Sequence, residues 1–220
     1  MITMKNLKSS LAVVAFSVLA TACGGPLSHM VEGYSPGAVA ADKKADVDKK
    51  EAAVQEAANR RDSTATAADQ AEAKVDAAEV AVEQAEGNLS VAEAAANLAE
   101  AKDDAGQTAD VATAEGEVEK AEKALKVAKA EKNLAEKNYD AAKKEAEEAE
   151  KAWIVALAEL EMAKLNARGG AGPQFDEEKA TFEKQLADAQ SDHAEAKKEL
   201  AEAKQDVEEA QAELNEAKGS

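Results

Sequence analysis

Bulky side chains are scarce in this sequence. Among 220 residues there are one tryptophan, two tyrosines and three phenylalanines, and the 45% of residues that are hydrophobic are mostly alanine. Alanine removes little apolar area from water, since each buried CH₂ contributes about 0.8 kcal/mol. The composition therefore argues against a wide globular core. Alanine, glutamate and lysine are strong helix formers, and a chain dominated by them with helical periodicity is typical of a coiled coil.

Residues that usually perform catalysis or bind metals are also few. The chain has one cysteine and two histidines, His29 and His193. A zinc site needs several thiolate or imidazole ligands, and a phosphate-binding loop needs a glycine-rich turn between a strand and a helix. The sequence has neither pattern, and its carboxylates alternate with lysines as on solvated helix faces. We therefore expect no enzyme activity, no metal, no cofactor and no small-molecule substrate.

Positive charge is in short supply as well. The formal net charge is −18. Nucleic acid requires a basic protein surface, because its phosphates dominate the interaction. Anionic lipid head groups likewise attract basic segments. The charge therefore argues against nucleic-acid binding and against adsorption of the helices to a membrane, and it indicates a well-solvated surface.

The first 22 residues differ from the rest of the chain and have the layout of a secretory signal peptide. Lys5 and Lys8 precede the apolar run at 11–20, which is too short to span a bilayer as a helix. Small residues follow at 20–22, directly before Cys23. Residues 24–40, with their glycines and prolines, predict a flexible tether, so that 23–41 separates the signal from the helices.

This N-terminal pattern resembles the signal of bacterial lipoproteins, in which the cysteine is acylated and begins the mature chain. The resemblance implies that Cys23 carries fatty acids such as palmitate, and, since Gly24 rather than aspartate follows, that the protein goes to the outer membrane. Ala20 departs from the family pattern, which usually has leucine there. The alternative is an ordinary A-x-A cleavage, which leaves Cys23 unacylated and the protein soluble in the periplasm or secreted.

A heptad seam follows. Its a positions in the first segment are Val47, Val54, Arg61, Ala68, Val75, Val82, Leu89 and Ala96. The seam slips by one residue after 103–108 and restarts at Val111, and a glycine-proline break at 169–173 precedes a third stretch. These breaks predict an all-α fold: a long antiparallel alanine-rich coiled coil that forms a three-helix bundle, with helices at about 42–102, 109–168 and 174–218.

The positions of large seam residues favour hairpins at both breaks. Large residues and alanines lie equidistant from Ala105 across the first break and from Ala171 across the second, as close packing of antiparallel helices requires. Two alternatives remain open at this point. The chain could continue as a rod through the break at 103–108, and the Gly87-Asn88 pair could end a helix early.

Two groups of residues stand out as candidate sites. Trp153, Ile154, Val155 and Met162 belong to the richest apolar stretch, and three of them lie off the seam; they form either a partner-binding patch or a thicker local core. Arg61 and His193 occupy seam positions that the register places in one layer. Histidine titrates near neutrality, so this layer is either a pH-sensitive joint or a polar layer that fixes register.

These features lead to a structural hypothesis and two alternatives. We expect a lipid-anchored coiled-coil spacer or brace of the cell envelope, contacting the membrane through its N-terminus and facing the periplasm. The chain is similar to Braun-type alanine-zipper lipoproteins in anchor and helical style, although it ends Lys218-Gly219-Ser220 and not in the lysine that the family joins to peptidoglycan. The alternatives are an acidic adaptor or holdase for an envelope protein, and a soluble secreted stress protectant, whose known examples prefer eleven-residue patterns.

Overall fold

The computed structural model describes residues 26–107 and 110–219, and its main elements are three long helices. Helix α1 spans Ala41–Asp104, α2 spans Val111–Arg168 and α3 spans Pro173–Gly219. A short 3₁₀ turn, Pro36–Ala38, precedes them. The helices pack antiparallel, α1 against α2 and α2 against α3. The predicted all-α fold of three antiparallel helices is confirmed, with helix ends within two residues of those expected.

Helix α1 follows the predicted seam over its whole length. All of the a positions from Val47 to Ala96 are buried or half-buried, whereas most positions between them are exposed. The helix runs through Gly87 without interruption. The glycine therefore does not end a helix, because the seam contacts on both sides of it hold the backbone in place.

The first break is a hairpin rather than a continuous rod. Helix α1 ends where Gly106 adopts a φ of 72°, a conformation that favours glycine, and the amide of Gln107 donates to the carbonyl of Lys102 at 2.9 Å. Asp110 then caps α2, since its carboxylate accepts hydrogen bonds from the Thr113 amide at 3.0 Å and the Thr113 hydroxyl at 2.7 Å. The chain thereby reverses within a few residues.

The second turn depends on glycine for space as well as for backbone conformation. Gly169 and Gly172 have positive φ, and a Cβ on Gly170 would lie 2.5 Å from the ring of Phe175. Pro173 begins α3, a position where its missing N–H costs nothing. The turn at 169–172 therefore closes tightly enough for Phe175 to cover it.

Helix α2 is the middle helix and packs through two faces. The buried cluster shared with Val47 of α1 contains Leu160, Ala163 and Ala167. The cluster shared with Ala189 and Leu186 of α3 contains Ile154, Val155, Leu157 and Ala158. At 3.6 residues per turn, most members of the two sets lie on roughly opposite sides of α2. The three helices thus form a layer with α2 between its neighbours.

Ion pairs show the register of both hairpins. Between α1 and α2, Lys132 Nζ lies 2.9 Å from Glu79 Oε1, a pair centred on the first turn. Between α2 and α3, Lys144 Nζ lies 2.8 Å from Glu199 Oε2, a pair centred on the second turn. Both pairs match the register that the seam residues predicted.

The third helix is shorter than the other two, so it ends before it reaches the level of the first turn. Near the end of α3, Lys218 Nζ contacts Glu131 Oε1 at 2.9 Å. Residues 111–127 of α2 lie beyond this ion pair, towards the first turn. Seventeen residues of helix extend about 25 Å at 1.5 Å per residue. We call this two-helix part, built from 86–104 and 111–127, the far end, and the part around 169–173 the turn end.

Candidate functional site

The predicted lipid attachment residue and the signal peptide lie outside the described part of the chain. The described residues begin at Pro26, three residues after Cys23. Acylation of Cys23 therefore stays a prediction. The residues that follow it, however, are described and contact the helices closely.

Residues 26–40, which the sequence predicted to form a flexible tether, are packed against the turn end. We call this segment the strap. Leu27 is 5% exposed and lies in the cluster of Ala158 and Ala189. Gln185 of α3 clamps the next two residues: its Oε1 accepts from the Ser28 hydroxyl at 2.8 Å and the His29 amide at 3.0 Å, and its Nε2 donates to the His29 carbonyl at 3.2 Å.

The strap then crosses α2 towards α1. The Val31 amide donates to Glu161 Oε2 at 2.7 Å, and Arg168 Nη1 donates to the carbonyl of Glu32 at 2.8 Å. Tyr34 and Val39 pack against the buried cluster around Val47 and Leu160. The strap therefore touches all three helices and covers apolar surface that the helices alone would leave in water.

Glu161 is the acid that holds the centre of the strap. It is 2% exposed, and its other carboxylate oxygen accepts from Lys164 Nζ at 2.8 Å. A buried carboxylate is costly unless it is paired and hydrogen-bonded. Here both oxygens have partners, one from the strap backbone and one from a cation a turn further along α2.

The predicted partner patch is largely occupied by the chain itself. Ile154 and Val155 pack against Ala189 and Leu27. Trp153 is half-buried, and the guanidinium of Arg61 lies 4.4 Å from the centre of its ring. Met162 is also half-buried. Arg61 therefore forms a cation–π contact across the α1–α2 seam.

A polar cluster links all three helices near Trp153. Glu148 of α2 is 2% exposed, and its two oxygens have different partners: Arg60 of α1 donates to one, and Nε2 of His193 of α3 lies 2.7 Å from the other. We call these three residues the clasp. The sequence pointed to Arg61 and His193 as one layer; the structure places Arg60 beside Glu148 and His193, and places Arg61 over Trp153.

Two opposing effects determine the charge state of the clasp carboxylate. Burial by itself raises the pKa of Glu148, but hydrogen bonds and charge from His193 and Arg60 outweigh it, so the pKa lies below 4.5. Glu148 is therefore ionised at neutral pH. Its negative charge holds α1 and α3 through two charge-assisted hydrogen bonds.

Sequence reasoning missed Arg60, Glu148, Glu161 and Leu27. Arg60 sits beside the seam rather than in it, and the two glutamates are acids among many. Only Glu148 has a signal in the sequence. It lies seven residues before Val155, so both occupy the same heptad position of α2, and this position faces α3. A search for a second seam along α2 would have found it.

The described residues give few other chemical indications. Within 26–107 and 110–219, no group of three or more His, Cys, Asp or Glu side chains is arranged to hold a metal ion. No helix in the same ranges is long and apolar enough to cross a membrane. The contacts described above hold the three long helices together and tie residues 26–40 to them.

Comparisons with protein-family models, with curated proteins and with solved structures gave no match.

Proposed function

We propose that this protein is a lipid-anchored spacer or brace of the bacterial cell envelope. The observation that supports the proposal best is the combination of an export-type N-terminus ending at Cys23 with a long helical rod that begins at Ala41. Helix α1 has 64 residues, which is about 96 Å at 1.5 Å per residue. A rod of this length suits a protein that sets a distance.

The contacts of the strap indicate which end of the rod would lie near the membrane. Leu27 is buried against α2 and α3, only four residues after Cys23. Four residues reach at most about 14 Å when fully extended. Acyl chains on Cys23 would therefore hold the turn end close to the membrane surface, with the far end pointing away or lying alongside.

The proposed location is the outer membrane, with the rod in the periplasm. The basis is the resemblance of residues 1–23 to lipoprotein signals and the glycine at position 24. The acidic surface supports the same arrangement, because a net charge of −18 keeps the helices off anionic head groups and leaves the anchor as the point of attachment.

The anchor is tested by labelling cells with radioactive palmitate and separating membranes from soluble protein. We expect label in the membrane fraction, and its loss in Cys23→Ala together with release of the protein. Ser28→Ala is a control, because it changes a residue near the same site and keeps the cysteine. An unlabelled, soluble wild-type protein cleaved after Ala22 would overturn the anchored function.

The spacer role is tested by changing the length of the rod. Deleting residues 89–95 together with 115–121 removes one heptad from each helix of the far end and keeps the register about Ala105. In a strain lacking the protein, the shortened chain should restore envelope integrity less well than the full-length chain. Equal restoration by both, at equal abundance, would contradict a role that depends on length.

A further inference from the structure

Helix α1 has a second apolar face that no described residue covers. Val80, Val91 and Leu98 are the large apolar residues exposed on it, with 51%, 71% and 57% of their surface in water. At 100° per residue the three side chains lie within about 20° of one another around the helix. Smaller residues continue the same face at Ala73, Ala77, Gly87, Ala94 and Ala101. We call this the outer face.

The outer face occupies the same heptad positions as the face of α2 that binds α3. On α2 these positions include Val155 and Ala158, which pack against Leu186 and Ala189 of α3, and Leu134 and Ala141, which are half-buried. On α1 the apolar residues at these heptad positions begin at a defined point along the helix. Residues 49–70 are polar or small at these positions. The run from Ala73 to Ala101 covers four heptads and is apolar except for Gln84. A seam of that length is enough to specify a helix–helix contact.

Gly87 lies in the middle of this run, and no contact within the described part of the chain accounts for a glycine at this position. A Cβ at this position would meet nothing within 4 Å, and its φ is ordinary for a helix. Glycine in a helix interior costs about 1 kcal/mol relative to alanine. A glycine on an exposed apolar face allows the backbone of another helix to approach closely.

The charges beside the outer face indicate which partner fits and in which direction. One edge is acidic, with Asp69, Asp76, Glu83 and Asp104. The other edge carries Lys74 and Lys102. All six are exposed, and none forms an ion pair with another residue in the described part of the chain.

Two parallel copies of α1 in register would bring Asp69 of each beside Lys74 of the other, whereas Asp76 and Glu83 would face the uncharged Ala81 and Asn88. Two antiparallel copies would bring acid against acid and lysine against lysine.

We infer that residues 73–101 of α1 form a dimerisation surface for a second copy of this chain, in parallel and in register. Val80, Val91 and Leu98 pack against their own counterparts, and Gly87 against Gly87. Because α1 packs on α2 through the opposite side, the dimer leaves both hairpins intact. The six helices then form one continuous layer, and the two N-termini lie at the same end.

Disulfide trapping tests the surface and its direction on the full-length chain with Cys23→Ser, which removes the native thiol. Val91→Cys in this background should oxidise rapidly to a covalent dimer, because parallel packing brings the two copies of residue 91 within disulfide range. Ala212→Cys, also at an exposed position but on α3, should stay monomeric. A mixture of Val80→Cys and Leu98→Cys chains that crosslinks better than Val91→Cys with itself would overturn the parallel arrangement.

A charge exchange tests the edges without thiols. Asp69→Lys should raise the dimer dissociation constant measured by sedimentation at least several-fold, and Asp69→Lys with Lys74→Asp should restore it. Helix content by circular dichroism should not change. Wild-type protein that stays monomeric at all concentrations would overturn the proposal, and the measurement needs no membrane, so its result is independent of lipid anchoring.

Discussion

The two ends of the rod are built differently although the seam repeat is the same. At the turn end, three helices and the strap bury large side chains, including Leu165 at 0% exposure and Phe182 at 3%. At the far end, two helices meet, and between residues 86 and 107 or 110 and 127 no side chain is fully buried. Heptad spacing therefore sets where helices touch, but the size of the seam residues and the number of helices set how much apolar area leaves water.

This difference predicts that local stability decreases along the rod from the turn end to the far end. Local opening is easiest where few apolar contacts hold the backbone. The turn end should be the last part to unfold, and the far end the first to fray. Four substitutions test this comparison, and they are given in order of decreasing expected effect.

Leu165→Ala compared with Leu89→Ala tests the difference directly, since both remove the same atoms. Deleting a fully buried leucine to alanine costs about 2–5 kcal/mol because a cavity remains. Leu89 is half-buried at the far end, so its replacement should cost about 1 kcal/mol or less. Urea unfolding gives both values; equal losses would mean that the two ends are equally well packed.

Leu27→Ala tests whether the strap contributes to the turn end. Burial of a leucine side chain stabilises by about 1.5–3 kcal/mol, so the variant should release the strap. Hydrogen exchange at the Val31 amide, which donates to Glu161, should accelerate strongly. Met30→Ala is the matched control, since Met30 is 60% exposed, and it should leave that exchange rate unchanged.

Glu148→Gln tests the clasp through its pH dependence. The pKa of Glu148 is lowered in the folded protein from 4.5. A group with a lowered folded pKa stabilises the fold above its unfolded pKa, and this contribution is lost as the pH falls through the folded value. Wild type should therefore be more stable than Glu148→Gln at pH 6, and the difference should shrink below pH about 4.5. Glu122→Gln, at an exposed position of α2, is the matched control and should leave the stability at pH 6 close to that of wild type.

Asp110→Ala at the far end should have the smallest effect. Asp110 caps α2 through Thr113, and these two hydrogen bonds lower its pKa. Loss of the cap should fray the first turn of α2 and lower the melting temperature slightly, because this region contributes little packing. A large loss would show that the far end, rather than the turn end, limits the stability of the rod.

The sequence was sufficient for helices, turns and register because each has a local or strictly periodic cause. Gly106 and Gly169 allow the backbone conformations that end α1 and α2, and the one-residue slip at Val111 marks the new seam. These signals need no knowledge of distant contacts.

The second face of α2 and the strap were not predicted. The second face follows the same heptad repeat at other positions, whereas the strap depends on contacts distant in the chain. Ile154 and Val155 lie off the first seam and were ambiguous between a patch and a core until α3 was placed. The strap has the composition of a linker, and its order comes from single contacts such as Gln185 with His29 and Glu161 with Val31. No periodic pattern encodes contacts of that kind.

The position of the strap decides how a mechanical load passes through the molecule. A pull on the N-terminus reaches Leu27 first, and from there it is shared by α2 and α3 through Ala158 and Ala189 and by α1 through Tyr34 and Val39. The force is thus shared among three helices at the level where they are packed best. The far end makes no contact with the strap in the described part of the chain, so it can bend or open while the attachment holds.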